Sequence, residues 1–369
     1  MATRNVVVIG GGYAGIRVAK DLDDIARVTL VDRKEVFFHR VASLRAGVDE
    51  RWTRAPLIPY SRLLEHGRVA LGKVTGIQTR EREVVLASGE RLPYDVVVIA
   101  TGADYPEPAR FVGTTAEEAA NVFRGHQRRI VEARRIMVVG GGPSGVELSA
   151  EIRLARPDAE VTLAHSGAAL LEGNGAVRAG RRALDWLAAH EVRVLLNTFV
   201  SPGSAFGSFR DGAGRRIEAD LVFWATGTTP NTVWLRLAGH GDWLNGTGHV
   251  RVDGHLRVVG WRDVFAVGDV TDISDAKVAP AAFAQGRAAA HNIRAHLDGS
   301  GRHRSQSKPY KAVPLRLLAV PFGPGDGVTM MPRGEREAML LGRRATVVLK
   351  SKSLLVPHQR ALLGQPAAD

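Results

Sequence analysis

Two glycine-rich turns carry the clearest chemical signal in the sequence. Both have the spacing G-x-G-x-x-G, formed by Gly10, Gly12 and Gly15 and, further on, by Gly140, Gly142 and Gly145. Such a turn lets the backbone approach a pyrophosphate, while the N–H groups that open the following helix face the phosphates. The sequence therefore predicts two dinucleotide sites.

The residue at the end of the second strand of each unit influences which dinucleotide that unit can bind. The first unit ends at Asp32, whose carboxylate can accept hydrogen bonds from the ribose hydroxyls and would repel a 2′-phosphate. The second unit ends at His165 and is followed by several arginines, so it lacks that carboxylate. Either NADH or NADPH is compatible with the second unit.

Each glycine turn lies between a buried strand and a helix. Residues 6–9 and 136–139 are apolar and largely β-branched, as expected for strands covered on both faces of a parallel sheet. Later strands in both halves end in Ala-Thr-Gly, at 100–102 and 225–227. From this repeat we predict three further cofactor-binding residues at the ends of these strands: Thr101, Gly102 and Gly227.

The composition excludes several kinds of chemistry. The 369 residues include no cysteine, so disulfides, thiolate metal sites and dithiol relays are ruled out, and redox chemistry requires a bound cofactor. We predict no metal site. The net charge of +12 indicates an anionic substrate, membrane surface or partner, or serves solubility alone. With no signal peptide and no run of 18 apolar residues, a cytoplasmic location is expected.

Two further segments suit a flavin. A strand ending at Asp269 places a carboxylate where it can accept a ribityl hydrogen bond. The alanine-rich helix that opens near Pro280 can direct its positive end at the flavin ring. Arg45 is a candidate for contact with the pyrophosphate or the ribityl chain.

The predicted fold is α/β, with two Rossmann-like dinucleotide-binding domains arranged as in glutathione reductase and a small α+β C-terminal domain. The predicted boundaries are 1–108 and 248–300 for the FAD domain, 109–247 for the inserted NAD(P)H domain and 301–369 for the C-terminal domain. Short alternating runs at 69–71, 74–77 and 84–86 predict a small antiparallel meander, and the polar stretch 299–308 a linker.

Local matches beyond the glycine motifs carry a family resemblance that extends along almost the whole chain. They are residues 38–46, 161–166, 264–269, 308–310, 326–328 and 349–352. In these segments the chain resembles the family of ferroptosis suppressor proteins, also called apoptosis-inducing-factor-like mitochondrion-associated inducers of death. Through that family it resembles the type II NADH:quinone oxidoreductases.

The resemblance implies FAD contacts and a residue beside the nicotinamide, Glu147. A departure from the family is Ala2, which stands where its members have a lipid-bearing glycine. The implied FAD contacts are Gly11, Gly12, Tyr13, Ala14, Gly15, Arg45, the backbone near Val74, and Asp269.

These observations favour an FAD-dependent NAD(P)H oxidoreductase that passes a hydride to the flavin and then electrons to a quinone. Apolar runs at 313–321 and 345–356 are candidates to cover the quinone, with Lys350 donating a hydrogen bond to its oxygen. The alternatives are an NADH-dependent ferredoxin reductase and a redox-sensing protein that binds a membrane surface or nucleic acid. No recognition helix is visible, so no specific nucleic-acid partner is expected, whereas weak association with a membrane surface is compatible with the charge.

Overall fold

The computed structural model describes residues 4–172, 176–202, 208–298, 307–312, 318–333 and 337–366. In chain order its strands are β1 (Asn5–Ile9), β2 (Arg27–Asp32), β3 (Val36–Phe38), β4 (Leu57–Pro59), β5 (Arg68–Leu71), β6 (Val74–Gln78), β7 (Glu83–Leu86), β8 (Arg91–Pro93), β9 (Val96–Ile99), β10 (Ala103–Asp104), β11 (Arg135–Val139), β12 (Glu160–Ala164), β13 (Arg193–Leu195), β14 (Ser201–Pro202), β15 (Ser208–Arg210), β16 (Arg216–Glu218), β17 (Leu221–Trp224), β18 (Thr229–Pro230), β19 (Val264–Ala266), β20 (Leu318–Pro321), β21 (Gly327–Arg333) and β22 (Glu337–Leu341).

The helices, in the same order, are α1 (Tyr13–Leu22), α2 (Arg40–Ala46), α3 (Ala116–Glu132), α4 (Pro143–Ala155), α5 (Val177–Ala189), α6 (Val233–Leu237), α7 (Ala279–Leu297), α8 (Arg343–Thr346) and α9 (Val356–Leu362). Single 3₁₀ turns span Glu50–Trp52 and Gly241–Trp243, and a π-helical turn spans Val347–Ser351.

A five-stranded parallel sheet forms the first unit, in the order β19-β9-β1-β2-β5. Its central strand is β1, where Val6 pairs with Val28 on one side and with Val96 on the other. These valines are fully buried, which explains the continuous apolar runs in the sequence. The chain first builds the sheet on one side of β1 and then on the other. A crevice at the carboxyl ends of the strands is expected at this reversal.

A second parallel sheet, in the order β13-β12-β11-β17, repeats the same pattern between β10 and β19. The repeat and the insertion confirm the predicted α/β architecture with two Rossmann-like units. Where the chain enters and leaves the inserted unit, β10 and β18 form a short antiparallel pair, in which Ala103 opposes Pro230. The residue limits given above for the domains stay predictions.

The antiparallel meander is present, but it differs from the prediction. It consists of β6, β7 and β8, whereas residues 69–71 belong to β5, which pairs in parallel with β2 at the edge of the first sheet. Leu30 pairs with Val69, which lies well downstream of it in the sequence. Alternation along a short run indicates a strand and does not identify its partner, which is why the prediction was wrong for β5.

The C-terminal part combines the antiparallel sheet β20-β21-β22 with α8, the π-helical turn and α9. The apolar run 345–356 is helical over most of its length, and part of the other apolar run and most of the predicted linker lie outside the described residues. The helix predicted from Pro280 is observed as α7, ending at Leu297. Across the described ranges, every helix is too short or too polar to cross a lipid bilayer.

Candidate functional site

The two glycine turns have the same geometry. Gly10 and Gly140 adopt positive φ angles of 105° and 123°, which suit glycine. A Cβ added to Gly15 would lie 1.8 Å from the carbonyl oxygen of Gly10, and one added to Gly145 would lie 1.8 Å from that of Gly140. The third glycine of each motif therefore lets the helix pack directly against the turn.

In front of each turn the protein leaves open space. A Cβ added to Gly12 or Gly142 would meet no atom of the described residues within 4 Å. These glycines precede α1 and α4, and neither helix has an acidic residue in its first turn. A helix N-terminus with open space in front of it and no acidic residue in its first turn suits a pyrophosphate at both positions.

A cavity of about 780 Å³ opens at the carboxyl edge of the first sheet. Its volume is in the range of sites that enclose a cofactor-sized ligand. Most of the residues predicted to hold FAD line it, namely Gly10, Gly11, Gly12, Tyr13, Ala14, Asp32, Val74, Thr101, Gly102 and Asp269. The structure thus brings together residues from five separate parts of the sequence.

Asp32 lies at one end of this cavity, beside the first glycine turn. Its carboxylate accepts a hydrogen bond from the Gly11 N–H at 2.6 Å and pairs with the Lys34 ammonium at 2.7 Å. Burial alone would raise the pKa of the Asp32 carboxyl. The Lys34 ammonium and the backbone N–H groups of Gly11 and Lys34 instead hold that pKa below its usual value. Tyr60 donates to the Gly11 carbonyl at 2.7 Å. The site therefore presents an ionised acceptor on a fixed turn.

Asp269 lies elsewhere along the same cavity. It accepts a hydrogen bond from the Tyr105 hydroxyl at 2.6 Å, and the Arg40 guanidinium lies 3.9 Å from the centre of the Tyr105 ring. Because burial and the Asp269 charge raise the pKa of the Tyr105 phenol, Tyr105 stays neutral and acts as a donor. Asp269 lines the cavity, and its contact with FAD stays a prediction.

His39 lies behind Tyr13, which lines the cavity. Its Nδ1 is 3.0 Å from the Tyr13 hydroxyl and its Nε2 is 2.7 Å from the Leu354 carbonyl oxygen. Burial lowers the pKa of His39 to about 4. The imidazole is therefore neutral and joins the cavity wall to the C-terminal part of the chain.

We expect this histidine to make folding stability depend on pH. As the pH falls below 6.5, the ordinary pKa of histidine, His39 becomes protonated in the unfolded chain. In the folded chain it stays neutral until about pH 4. Over that window His39 removes about 3 kcal/mol of the free energy of unfolding. Urea unfolding of a His39→Gln variant should show a shallower pH dependence than the wild type. His66→Gln, which changes an exposed histidine, is the matched control.

Glu147 and Lys350, predicted as the catalytic residues, form a buried ion pair. The Lys350 Nζ donates to Glu147 at 2.8 Å and to the Ala319 carbonyl oxygen at 2.8 Å. Burial raises the pKa of Glu147, partly opposed by the charge of Lys350. Glu147 lies on α4 shortly after the second glycine turn, and Lys350 lies on the π-helical turn. Their catalytic roles stay predictions, but their proximity was not evident from the sequence.

Arg45 lies outside the lining of the cavity. Its guanidinium pairs with Glu151 at 2.7 Å, donates to the Ser351 carbonyl oxygen at 2.8 Å and lies over the Trp52 ring. The arginine is 2% exposed and these partners occupy it, so the geometry gives no support to its predicted contact with FAD. Instead, Arg45 ties α2 to α4 and to the turn that carries Lys350.

Gly15, Pro280 and Gly227 also fall outside the cavity lining, as do the other residues predicted to bind a cofactor in the second unit. Gly15 packs beneath the turn, and Pro280 lies in the first turn of α7, whose residue Ala282 reaches the cavity. Gly227 has a φ of 69°, close to the 64° of Gly102 in the first unit. Gly227 therefore occupies the equivalent edge of the second unit.

His165 occupies in the second unit the place that Asp32 has in the first. A Cβ added to Gly141 would lie 2.5 Å from the His165 ring, and one added to Gly11 would lie 2.9 Å from the Asp32 carboxylate. The Nε2 of His165 is in turn 3.5 Å from Glu172. A carboxylate is thus present beside the second turn, supplied by a residue that the sequence motifs did not indicate.

Residues 4–286 match the family described as pyridine nucleotide-disulphide oxidoreductase. The chain belongs to this family. It is similar to apoptosis-inducing factor homolog B of Dictyostelium discoideum, with 32% identity over 98% of this chain and 97% of the relative. It is also 32% identical to the Homo sapiens ferroptosis suppressor protein 1, over 95% of this chain and 94% of that protein. The predicted family resemblance is confirmed.

Solved structures support the same fold. The sulfide:quinone oxidoreductase of Aquifex aeolicus superposes with a TM-score of 0.77 over 98% of this chain and 92% of that chain, at 19% identity. Membership of the pyridine nucleotide-disulphide oxidoreductases makes this protein an oxidoreductase that binds FAD and NAD(P)H. The open turns suit the pyrophosphates of both cofactors, and the cavity suits FAD.

Several residues at the site were missed by sequence reasoning. Tyr60 and Tyr105 reach the cavity or its glycine turn from segments without a motif, and Arg40 reaches the cavity from a segment in which the sequence assigned it no role. Glu172 lies in an irregular loop. The sequence shows it only as an acidic residue a few positions after the end of β12. Such contacts depend on how loops return to the sheet edge, which spacing alone does not specify.

Proposed function

We propose that this oxidoreductase transfers electrons from NAD(P)H through FAD to a quinone. The observation that carries the proposal is the buried pair of Glu147 and Lys350, which joins the start of the second nucleotide unit to the C-terminal part. The structural neighbour from Aquifex aeolicus is a sulfide:quinone oxidoreductase, which supports a quinone as acceptor. Since the chain has no cysteine, electrons must leave the flavin directly and not through a dithiol.

The flavin, when bound, supplies the redox chemistry, and the protein's residues bind and orient the cofactors and polarise the reacting groups. The first glycine turn and Asp32 hold the adenosine diphosphate part, and Asp269 with Tyr105 fixes the ribityl side. The second turn holds NAD(P)H, with Glu147 near the nicotinamide end. The cavity lining and the open space in front of each turn support the assignments of the two turns, Asp32 and Asp269. The family resemblance supports that of Glu147.

Lys350 is the residue we assign to the acceptor. An ammonium has three donors, and in the described structure two of them are used, on Glu147 and on Ala319. The third can donate to a quinone oxygen as negative charge develops there. The raised pKa of Glu147 suits a carboxyl that holds or releases a proton next to that lysine.

The test is a pair of anaerobic half-reactions. We expect NADH or NADPH to bleach the yellow holoenzyme, and a short-chain ubiquinone or menaquinone analogue to restore its colour within the time of turnover. Reoxidation by an acidic ferredoxin but not by any quinone would replace the proposal with the ferredoxin reductase alternative. Failure of both nicotinamide coenzymes to reduce the flavin would reject the function altogether.

We also propose a weak, peripheral association with membranes, in an otherwise cytoplasmic protein. Two apolar side chains next to Lys350 support it, because Val348 is 81% and Leu349 48% exposed, and basic residues flank them. The reoxidation experiment can be repeated with the quinone carried in anionic phospholipid vesicles. Reoxidation there should slow when Val348 and Leu349 are changed to serine, while reoxidation by soluble quinone should not.

A further inference from the structure

The loop after β12 brings an acid to the second glycine turn. His165 takes the position equivalent to Asp32, and the chain then folds back so that Glu172 Oε1 lies 3.5 Å from His165 Nε2. The other carboxylate oxygen of Glu172 accepts the Ala169 N–H at 3.1 Å. The carboxylate is therefore held by its own loop on one side and by the histidine on the other.

Gly167 makes this arrangement possible. A Cβ at position 167 would lie 1.6 Å from Glu172 Oε1 and 2.7 Å from His165 Nε2. Any other residue would push the carboxylate away from the histidine. The small residue and the acid thus belong to one local structure.

The loop is also fixed to the turn that faces the pyrophosphate. The Leu171 N–H donates to the Gly141 carbonyl oxygen at 2.9 Å. Leu171 has a φ of 59°, which costs a non-glycine residue on the order of 1 kcal/mol and persists only where surrounding contacts impose it. On the other side, a Cβ at Gly180 would lie 1.9 Å from the Leu170 carbonyl oxygen, so the loop packs closely on α5. Glu172 is consequently presented at a defined place.

We propose that Glu172 selects the coenzyme of the second unit, in place of the acid that usually closes the second strand. Its carboxylate accepts hydrogen bonds from the adenosine ribose hydroxyls of NADH and repels the 2′-phosphate of NADPH. This inference rests on the proposed use of the second turn for NAD(P)H. It makes NADH the preferred coenzyme, although the strand itself ends in a histidine.

Binding of adenosine fragments tests the selection without turnover. ADP-ribose and its 2′-phosphate derivative are titrated calorimetrically into the oxidised holoenzyme. We expect the wild type to bind ADP-ribose at least about tenfold more tightly than the 2′-phosphate derivative. Glu172→Gln should reduce this ratio of affinities by about tenfold, equivalent to about 1.4 kcal/mol. The ratio of kcat/KM for NADH and NADPH should move in the same direction.

Glu191→Gln is the matched control, since it removes an exposed acid of the same unit that pairs with Arg153. It should leave the binding ratio unchanged. A wild type that binds the two fragments equally, or a Glu172→Gln variant with the wild-type ratio, overturns the inference and leaves the proposed function standing. If neither fragment nor either coenzyme binds, the proposed function itself fails.

Discussion

Gly12→Val is expected to give a folded, colourless protein. The glycine has an ordinary extended backbone, with φ −81° and ψ −171°, so valine introduces no backbone strain. Its side chain would enter the open space in front of the first turn, where we propose that the pyrophosphate of FAD binds. We expect FAD affinity to fall more than about tenfold, a loss of at least about 1.4 kcal/mol. The measurement is the flavin absorbance per protein after gel filtration.

The matched variant is Gly142→Val, which makes the same change in the second turn. Gly142 has nearly the same backbone, with φ −75° and ψ −178°, and the same open space in front of it. This protein should stay yellow and lose reduction by NADH. If Gly142→Val instead loses the flavin and Gly12→Val keeps it, the assignment of the two cofactors to the two turns is reversed.

The second large effect is expected at the buried ion pair. In Lys350→Met the Glu147 carboxylate, 8% exposed in its side chain, is left without its partner. Breaking a buried pair from one side costs about 3 to 5 kcal/mol, so chemical unfolding should show a loss of that order. Reoxidation of the flavin by quinone should also slow at least about tenfold, while reduction by NADH changes less.

The double variant Glu147→Gln/Lys350→Met separates stability from chemistry. Replacing both charges with neutral groups removes the uncompensated charge, so most of the stability should return. Quinone reoxidation should stay slow, because the cationic donor is still missing. Recovery of the quinone rate in the double variant would show that Lys350 acts only by supporting the fold.

The parts of the site that sequence predicted are those encoded by local spacing. Gly10 to Gly15 and the matching turn at 140–145 combine a strand, a turn and a helix within a few residues, so the pattern specifies the geometry. Asp32 follows from the same reasoning, because the end of a parallel strand must lie near the turn of its neighbour.

The contacts that the sequence did not predict lie between distant segments. Arg45 has a length and charge that suit a phosphate contact, but Glu151 on α4 lies opposite and takes the guanidinium. A buried arginine requires an acid within reach, and only the packing of α2 against α4 identifies which acid. Likewise, β5 alternates like a hairpin strand, yet it completes the first sheet beside β2.

The short pair β10 and β18 holds together the two places where the chain crosses between units. Beside it, Asn231 exchanges hydrogen bonds with Thr101, whose hydroxyl donates to the Asn231 carbonyl oxygen at 2.9 Å. The two ends of the inserted unit are therefore neighbours, as the termini of an independent domain often are. Because both crossings lie at this two-stranded junction, the inserted unit interrupts no strand of the five-stranded sheet that it enters.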